Sequence, residues 1–183
     1  ESLLHGACLI AVSWREGQPL HLRLPPRIAD VEGALDRLAS HMTGAEVEPG
    51  ALIIEIPLPA ASGVHGSDIL DRLAATGARL ALGDWDMSLA AFELTTSRAF
   101  SIVKVAADQA GDTLFRPGVD TVWRAAFASL AAAGVAVCAC NVRSRDAADR
   151  LFDLGVEAAR GPALASAHPR PGATGRPRLV SAA

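Results

Sequence analysis

One pattern recurs three times along the chain and constrains its fold more than any other feature. The segments "LAATGARLALGD" from Leu73, "LAAAGVAVCACN" from Leu130 and "LFDLGVEAARGP" from Leu151 each run Leu-x-x-x-Gly and continue as an apolar stretch that stops in polar residues. A glycine in that place (Gly77, Gly134, Gly155) suits the left-handed residue just past a helix C-terminus, and a strand follows with almost no loop. This is the αβ half of a βαβ unit, repeated. It predicts a parallel sheet, either open or closed into a barrel, with ligand chemistry at the carboxyl ends of the strands.

The remaining elements fit the same alternation. Ser67 precedes Ile69, Leu70 and Leu73, and Ser144 precedes Ala147, Ala148, Leu151 and Leu154, each serine reading as a helix start. Val119, Trp123, Phe127 and Leu130 share one face of a third helix. Three further strands are predicted in "LHLRL" from Leu20, "ALIIEI" from Ala51 and "FSIVKV" from Phe100. A helix capped by Asp30 carries Val31, Leu35, Leu38 and Met42 as its buried stripe, and the first 14 residues read as another helix. The strand ends then fall at Arg23, Glu55, Gly83 and Asp84, Lys104, Cys140 and Asn141, and Arg160 and Gly161. From His168 onward the chain is rich in Pro, Gly and Arg and reads as a flexible tail, 168–183, behind a domain over 1–167.

Composition narrows the function classes. With 183 residues, half of them hydrophobic, the chain buries a substantial core as one domain. A formal charge of -3, with Lys and Arg scattered rather than blocked, argues against nucleic acid as a partner. Cys8, Cys138 and Cys140 form no disulfide framework, which fits a reducing cytoplasm. The apolar stretch "AAFASLAAAGVAVCAC" is broken by Gly134 and is shorter than the roughly 18 residues of a membrane span. A chain that begins with Glu1 reads as part of a longer protein, with upstream sensor or membrane segments as the expected candidates. His5, His21, His41, His65 and His168 show no metal-ligand spacing, and "GVHGSD" matches no Gly-rich phosphate loop.

Taken in order, the strand-end residues resemble those of an EAL domain, the family that linearises the bacterial messenger cyclic di-GMP. "LHLRLPPRIAD" resembles the family's VNLS strand and the turn after it, and "LIIEIPLPA" resembles LEITE. "LALGDWDMSLAAFELTTSRAFSIVKV" is similar to ALDDFGTG, its following helix and the LKID strand. "VAVCACNVRSRDAADRLFDLGVEAARGPALA" is similar to the AEGVE strand, the next helix and the closing QG segment. The resemblance implies an α/β fold, a modified TIM (β/α) barrel of EAL type. It is N-terminally incomplete here, because the strand bearing Glu-Ala-Leu is not in the chain and a full barrel takes about 250 residues.

Members of the family hydrolyse a phosphodiester with two divalent metals, which need a dense set of oxygen ligands. Carried over residue by residue, the resemblance places Arg23 at the metal Asn of VNLS, Glu55 at the Glu of LEITE, and Gly83 and Asp84 at the aspartate pair. Lys104 keeps the family's lysine and Ala106 replaces the aspartate of LKID. Cys140 and Arg143 replace the two glutamates of AEGVE, and Arg160 replaces the Gln before the retained Gly161. Two carboxylates are too few for a pair of hard cations, so the resemblance implies a degenerate, inactive domain with no catalytic residues, no metal and no cofactor.

The expected roles are binding roles. Arg23, Glu55, Asp84, Lys104, Asn141, Arg143 and Arg160 are the candidate nucleotide contacts, with guanidinium groups acting as counter-ions to phosphate in place of metals. The same charges also read as a closed ionic network that fills the pocket, Arg23, Arg143 and Lys104 pairing with Glu55, Asp84 and Asp86. The partners implied are cyclic di-GMP, a protein partner and a homodimer. Trp85 admits two readings, a ring that stacks on guanine or a core side chain, and Cys140 reads as a small buried thiol.

Overall fold

The computed structural model describes residues 19–28, 33–48, 50–107 and 118–164. These residues divide into two compact units, one running up to Gly83 and taking in 88–101, the other comprising 84–87 and the residues from Ile102 onward. The predicted helix over the first 14 residues, the cap at Asp30 with Val31, and the tail from His168 lie outside the described residues.

The first unit holds the parallel strands β1 (Leu20–Arg23), β2 (Leu52–Pro57) and β3 (Arg79–Gly83), in chain order. The register sets Arg23 beside Glu55 and Pro57 beside Gly83. Every residue of β2 is buried, and Leu52, Ile53, Ile54 and Ile56 have no exposed surface. A strand covered on both faces reads as a continuous apolar run, which is why "LIIEI" shows no alternation. Each such side chain contributes roughly 1.5–3 kcal/mol on burial.

Helix α1 (Ala34–Gly44) buries Leu35, Leu38 and Met42, the stripe read from the sequence, and is N-capped by Gly33 at φ 66°. A short helix α2 (Leu58–Ala61) leaves β2 directly, with Pro in its first turn, and was not predicted. The helix after it, α3 (Gly66–Ala75), begins one residue before Ser67 and has no side-chain cap. The predicted serine cap is therefore corrected. A Cβ on Gly66 would stand 2.0 Å from the Ala61 carbonyl oxygen, so the helix starts where glycine alone fits, and Ser67 Oγ instead accepts from Arg98 Nη2 at 2.5 Å. Helix α4 (Leu89–Ser97) is capped by Ser88, whose Oγ accepts from Ala91 N at 3.2 Å.

The second unit takes up β4 (Phe100–Ala106) from Ile102 onward, then α5 (Val119–Ala132), β5 (Ala136–Cys140), α6 (Arg145–Leu154), β6 (Ala158–Ala159) and a 3₁₀ turn at Pro162–Leu164. β5 pairs in parallel with β4 on one side and β6 on the other. Ser144 caps α6 as predicted, accepting from Ala147 N at 3.1 Å. All three template glycines adopt positive φ, 76° at Gly77, 78° at Gly134 and 107° at Gly155. After two of them the next amide reaches back to close the helix, Val135 N to Leu130 O at 2.9 Å and Val156 N to Leu151 O at 3.1 Å.

Candidate functional site

The predicted site residues fall in two sets, one in each unit. In the first unit, the register between β1 and β2 places Arg23 at the end of one strand beside Glu55 near the end of the next. Their side chains form an ion pair, Arg23 Nη1 to Glu55 Oε1 at 2.5 Å, with the carboxylate side chain 2% exposed and the guanidinium 45% exposed. The pairing of Arg23 with Glu55 anticipated from the sequence is present. A buried carboxylate needs such a partner, because desolvation disfavours its charged form.

Gly83 lies against this pair. A Cβ there would stand 2.7 Å from Glu55 Oε1, 3.2 Å from its Cγ and 3.3 Å from its Cδ. An aspartate at position 83 would thus displace Glu55 from Arg23 and set two carboxylates in contact. Glycine at 83 and the arginine at 23 are parts of one arrangement.

Arg23→Ala is expected to destabilise the protein by about 2 kcal/mol. That is less than the roughly 3–5 kcal/mol of a fully enclosed pair, because water already reaches the guanidinium. The double variant Arg23→Ala/Glu55→Gln should lose less than the sum of the two single losses, by on the order of 1 kcal/mol. Urea denaturation of the four proteins measures this, and strict additivity would show the pair to be energetically idle.

In the second unit the parallel register sets Lys104 beside Cys138 and Ala106 beside Cys140. Lys104 is buried at 3% exposure, and its carbonyl accepts from Trp85 N at 3.0 Å. Asp84 is half-buried at φ 57°, while Asn141 is exposed at φ 60°. Both stand immediately after a strand in the left-handed conformation that Asp and Asn tolerate best among non-glycine residues. Arg143 is exposed. Arg160 is half-buried and donates from Nε to Cys140 Sγ at 3.1 Å.

That contact was not legible in the sequence, since donor and acceptor lie 20 residues apart. It depends on the backbone after β6. Arg160 N donates to Ala139 O at 2.8 Å, and Val142 N donates to Arg160 O at 3.0 Å, so this residue is pinned to both sides of the end of β5. Cys140 is lowered from its ordinary value to about 6 by a hydrogen bond from Cys138 and by the charges of Arg160 and Lys104, which together outweigh its burial. Cys138 moves the other way, raised by its hydrogen bond to Cys140 and by desolvation. Cys140 is buried, as read from the sequence, and so is Cys138.

Trp85 belongs to the core. It is 2% exposed and packs on Trp123 at a ring separation of 6.4 Å, and Trp123 packs on Phe127 at 5.3 Å. Among the described residues no group of three or more His, Cys, Asp or Glu side chains is placed to hold a metal ion. No helix among them is long and apolar enough to cross a membrane.

Comparison with solved structures assigns the fold. The EAL domain of Mycobacterium smegmatis DcpA superposes with a TM-score of 0.70 at 22% identity, covering 87% of this chain and 75% of that one. The FimX EAL domain from Pseudomonas aeruginosa bound to cyclic di-GMP gives 0.74 at 16% identity, covering 87% and 66%. Klebsiella pneumoniae BlrP1 in its calcium and cyclic di-GMP complex gives 0.72 at 19% identity, covering 88% and 42%. The fold is thus α/β, of the modified TIM-barrel kind, with six strands described where a complete barrel has eight. No curated protein matches the chain. The model of the EAL domain matches residues 1–167, which take in every strand-end residue from Arg23 to Gly161, and the chain therefore belongs to the EAL-domain family.

Proposed function

We propose that this chain is a catalytically inactive EAL-family domain that works by binding within cyclic di-GMP signalling, as a nucleotide receptor or as a protein-interaction module. The observation that carries the reading is the Arg23–Glu55 ion pair packed against Gly83. The family's chemistry calls for two divalent cations, and the donor set here does not fit them. Glu55 is already matched with a guanidinium, position 83 has no side chain, Ala106 and Cys140 stand side by side where the family has an aspartate and a glutamate, and Arg160 is bonded to that cysteine. Hard cations require several oxygen ligands and are repelled by an adjacent guanidinium.

The nucleotide contacts proposed lie in the second unit: Arg143, Arg160 and Asn141, with Lys104 and Asp84. Guanidinium groups suit phosphate oxygens through paired hydrogen bonds and activate no water. The relatives from P. aeruginosa and K. pneumoniae were solved with cyclic di-GMP, which makes that nucleotide the first ligand to try.

The test is calorimetric titration of cyclic di-GMP with magnesium and again with chelator, beside an assay for linearised product. A receptor gives equal affinity in both buffers, weakened roughly tenfold or more by Arg143→Ala, the worth of one charge-assisted hydrogen bond to phosphate. Absence of heat in both buffers assigns the protein-interaction role alone. Magnesium- or manganese-dependent turnover that is lost in Glu55→Ala overturns the proposal.

A further inference from the structure

We propose that Cys140 is a peroxide-reactive thiolate at the carboxyl end of β5, set against the guanidinium of Arg160. The inference is independent of nucleotide binding. It rests first on placement. Cys138 and Cys140 alternate with Ala139 on one strand, so both sulfurs stand on the same face, and the register puts Lys104 next to Cys138. The guanidinium Nε of Arg160 lies 3.1 Å from the Cys140 sulfur. A guanidinium in contact with the sulfur, with Lys104 on the neighbouring strand, favours its anionic form, as in known reactive cysteines.

The two thiols are not equivalent. Cys140 is the last residue of its strand, is 9% exposed, and is followed by exposed Asn141, whereas Cys138 lies deeper at 5%. The titration directions given above divide the pair in the same sense, Cys140 lowered and Cys138 raised. The groups that set this balance are Cys138 on β5, Lys104 on β4 and Arg160 after β6.

The reaction is a two-electron oxidation by hydrogen peroxide. The Cys140 sulfur attacks one peroxide oxygen, the O–O bond breaks, an S–O bond forms, and hydroxide leaves, to be neutralised to water by the proton that the thiol released to solvent on ionising. Sulfur is oxidised to the sulfenic acid and the peroxide is reduced.

The experiment is alkylation of the folded chain with iodoacetamide across pH 5 to 10, read at each cysteine by peptide mass spectrometry, with urea-unfolded protein as reference. In the folded protein the Cys140 rate should rise with a midpoint near 6. At pH 7 this makes the group about 90% thiolate, against roughly 1% for a thiol titrating at 9. Arg160→Gln should move the midpoint upward by about one unit or more, which a merely structural role for Arg160 would not do. After hydrogen peroxide, a sulfenic-acid-specific dione should label Cys140 in the wild type, and Cys140→Ser should remove that label. A Cys140 midpoint in the folded protein at or above that of the unfolded chain, or peroxide treatment that yields no dione adduct at Cys140, overturns the proposal.

Discussion

Gly161→Ala is expected to cost about 3 kcal/mol or more, lowering the melting temperature by roughly 6–12 °C for a chain of this size. A Cβ at that position would stand 2.2 Å from Val142 N, 2.3 Å from Val142 O and 2.8 Å from its carbonyl carbon. All three are backbone atoms, so the conflict cannot be relieved by turning a side chain. The same crossing carries Val142 N to Arg160 O at 3.0 Å and Ala163 N to Val142 O at 3.2 Å. To admit one methyl group the segment after β6 must separate from the segment after β5. Arg160 would then leave Cys140 as well. Circular-dichroism melting measures the loss, with Gly44→Ala as control, because no atom lies within 4 Å of a Cβ there and the position is helical. That control should stay within about 1 kcal/mol of wild type. Equal melting of the Gly161 variant and wild type would mean that the two segments are free to move apart.

Trp85→Ala should cost roughly 3–5 kcal/mol, the range for removing a large aromatic from a packed interior. The ring is 2% exposed and leads an aromatic row through Trp123 to Phe127. Truncation removes both the buried area and one member of that row. Trp85→Phe keeps part of the volume and should lose less than half as much. Urea denaturation of the three proteins gives the ordering. If Trp85→Ala left stability intact and instead weakened nucleotide binding, the ring would be a ligand surface and not core.

The loop around Trp85 illustrates how far sequence reading reaches. In "LGDWDMS" the end of the strand was legible, because an apolar run gives way to glycine and then charge. The destination of the tryptophan was not. Asp84 adopts φ 57° and Met87 φ 64°, one on each side of Trp85, whose N meets Lys104 O. Neither Asp nor Met announces such a conformation in sequence, where glycine would have. Ser88 was not read as a cap, yet its Oγ accepts from Ala91 N at the start of α4. Ser67 was read as one and was overridden by the approach of Gly66 to the Ala61 carbonyl.

By itself the sequence determined the alternation of strand and helix, the three left-handed glycines that end helices, the buried stripes, and the strand-end positions at which the family's acidic residues are replaced. Those are local properties, set by periodicity, by capping chemistry and by the one residue without a Cβ. Only the tertiary structure decided which of those strand-end residues meet. Arg23 reaches Glu55 because the β1–β2 register aligns them, Gly83 is required because Glu55 leans over it, and Arg160 becomes the partner of Cys140 because two backbone segments cross with no room for a side chain. Register and close backbone approach are relations between residues distant in the chain, and the energies that fix them come from burial and pairing that no local pattern records.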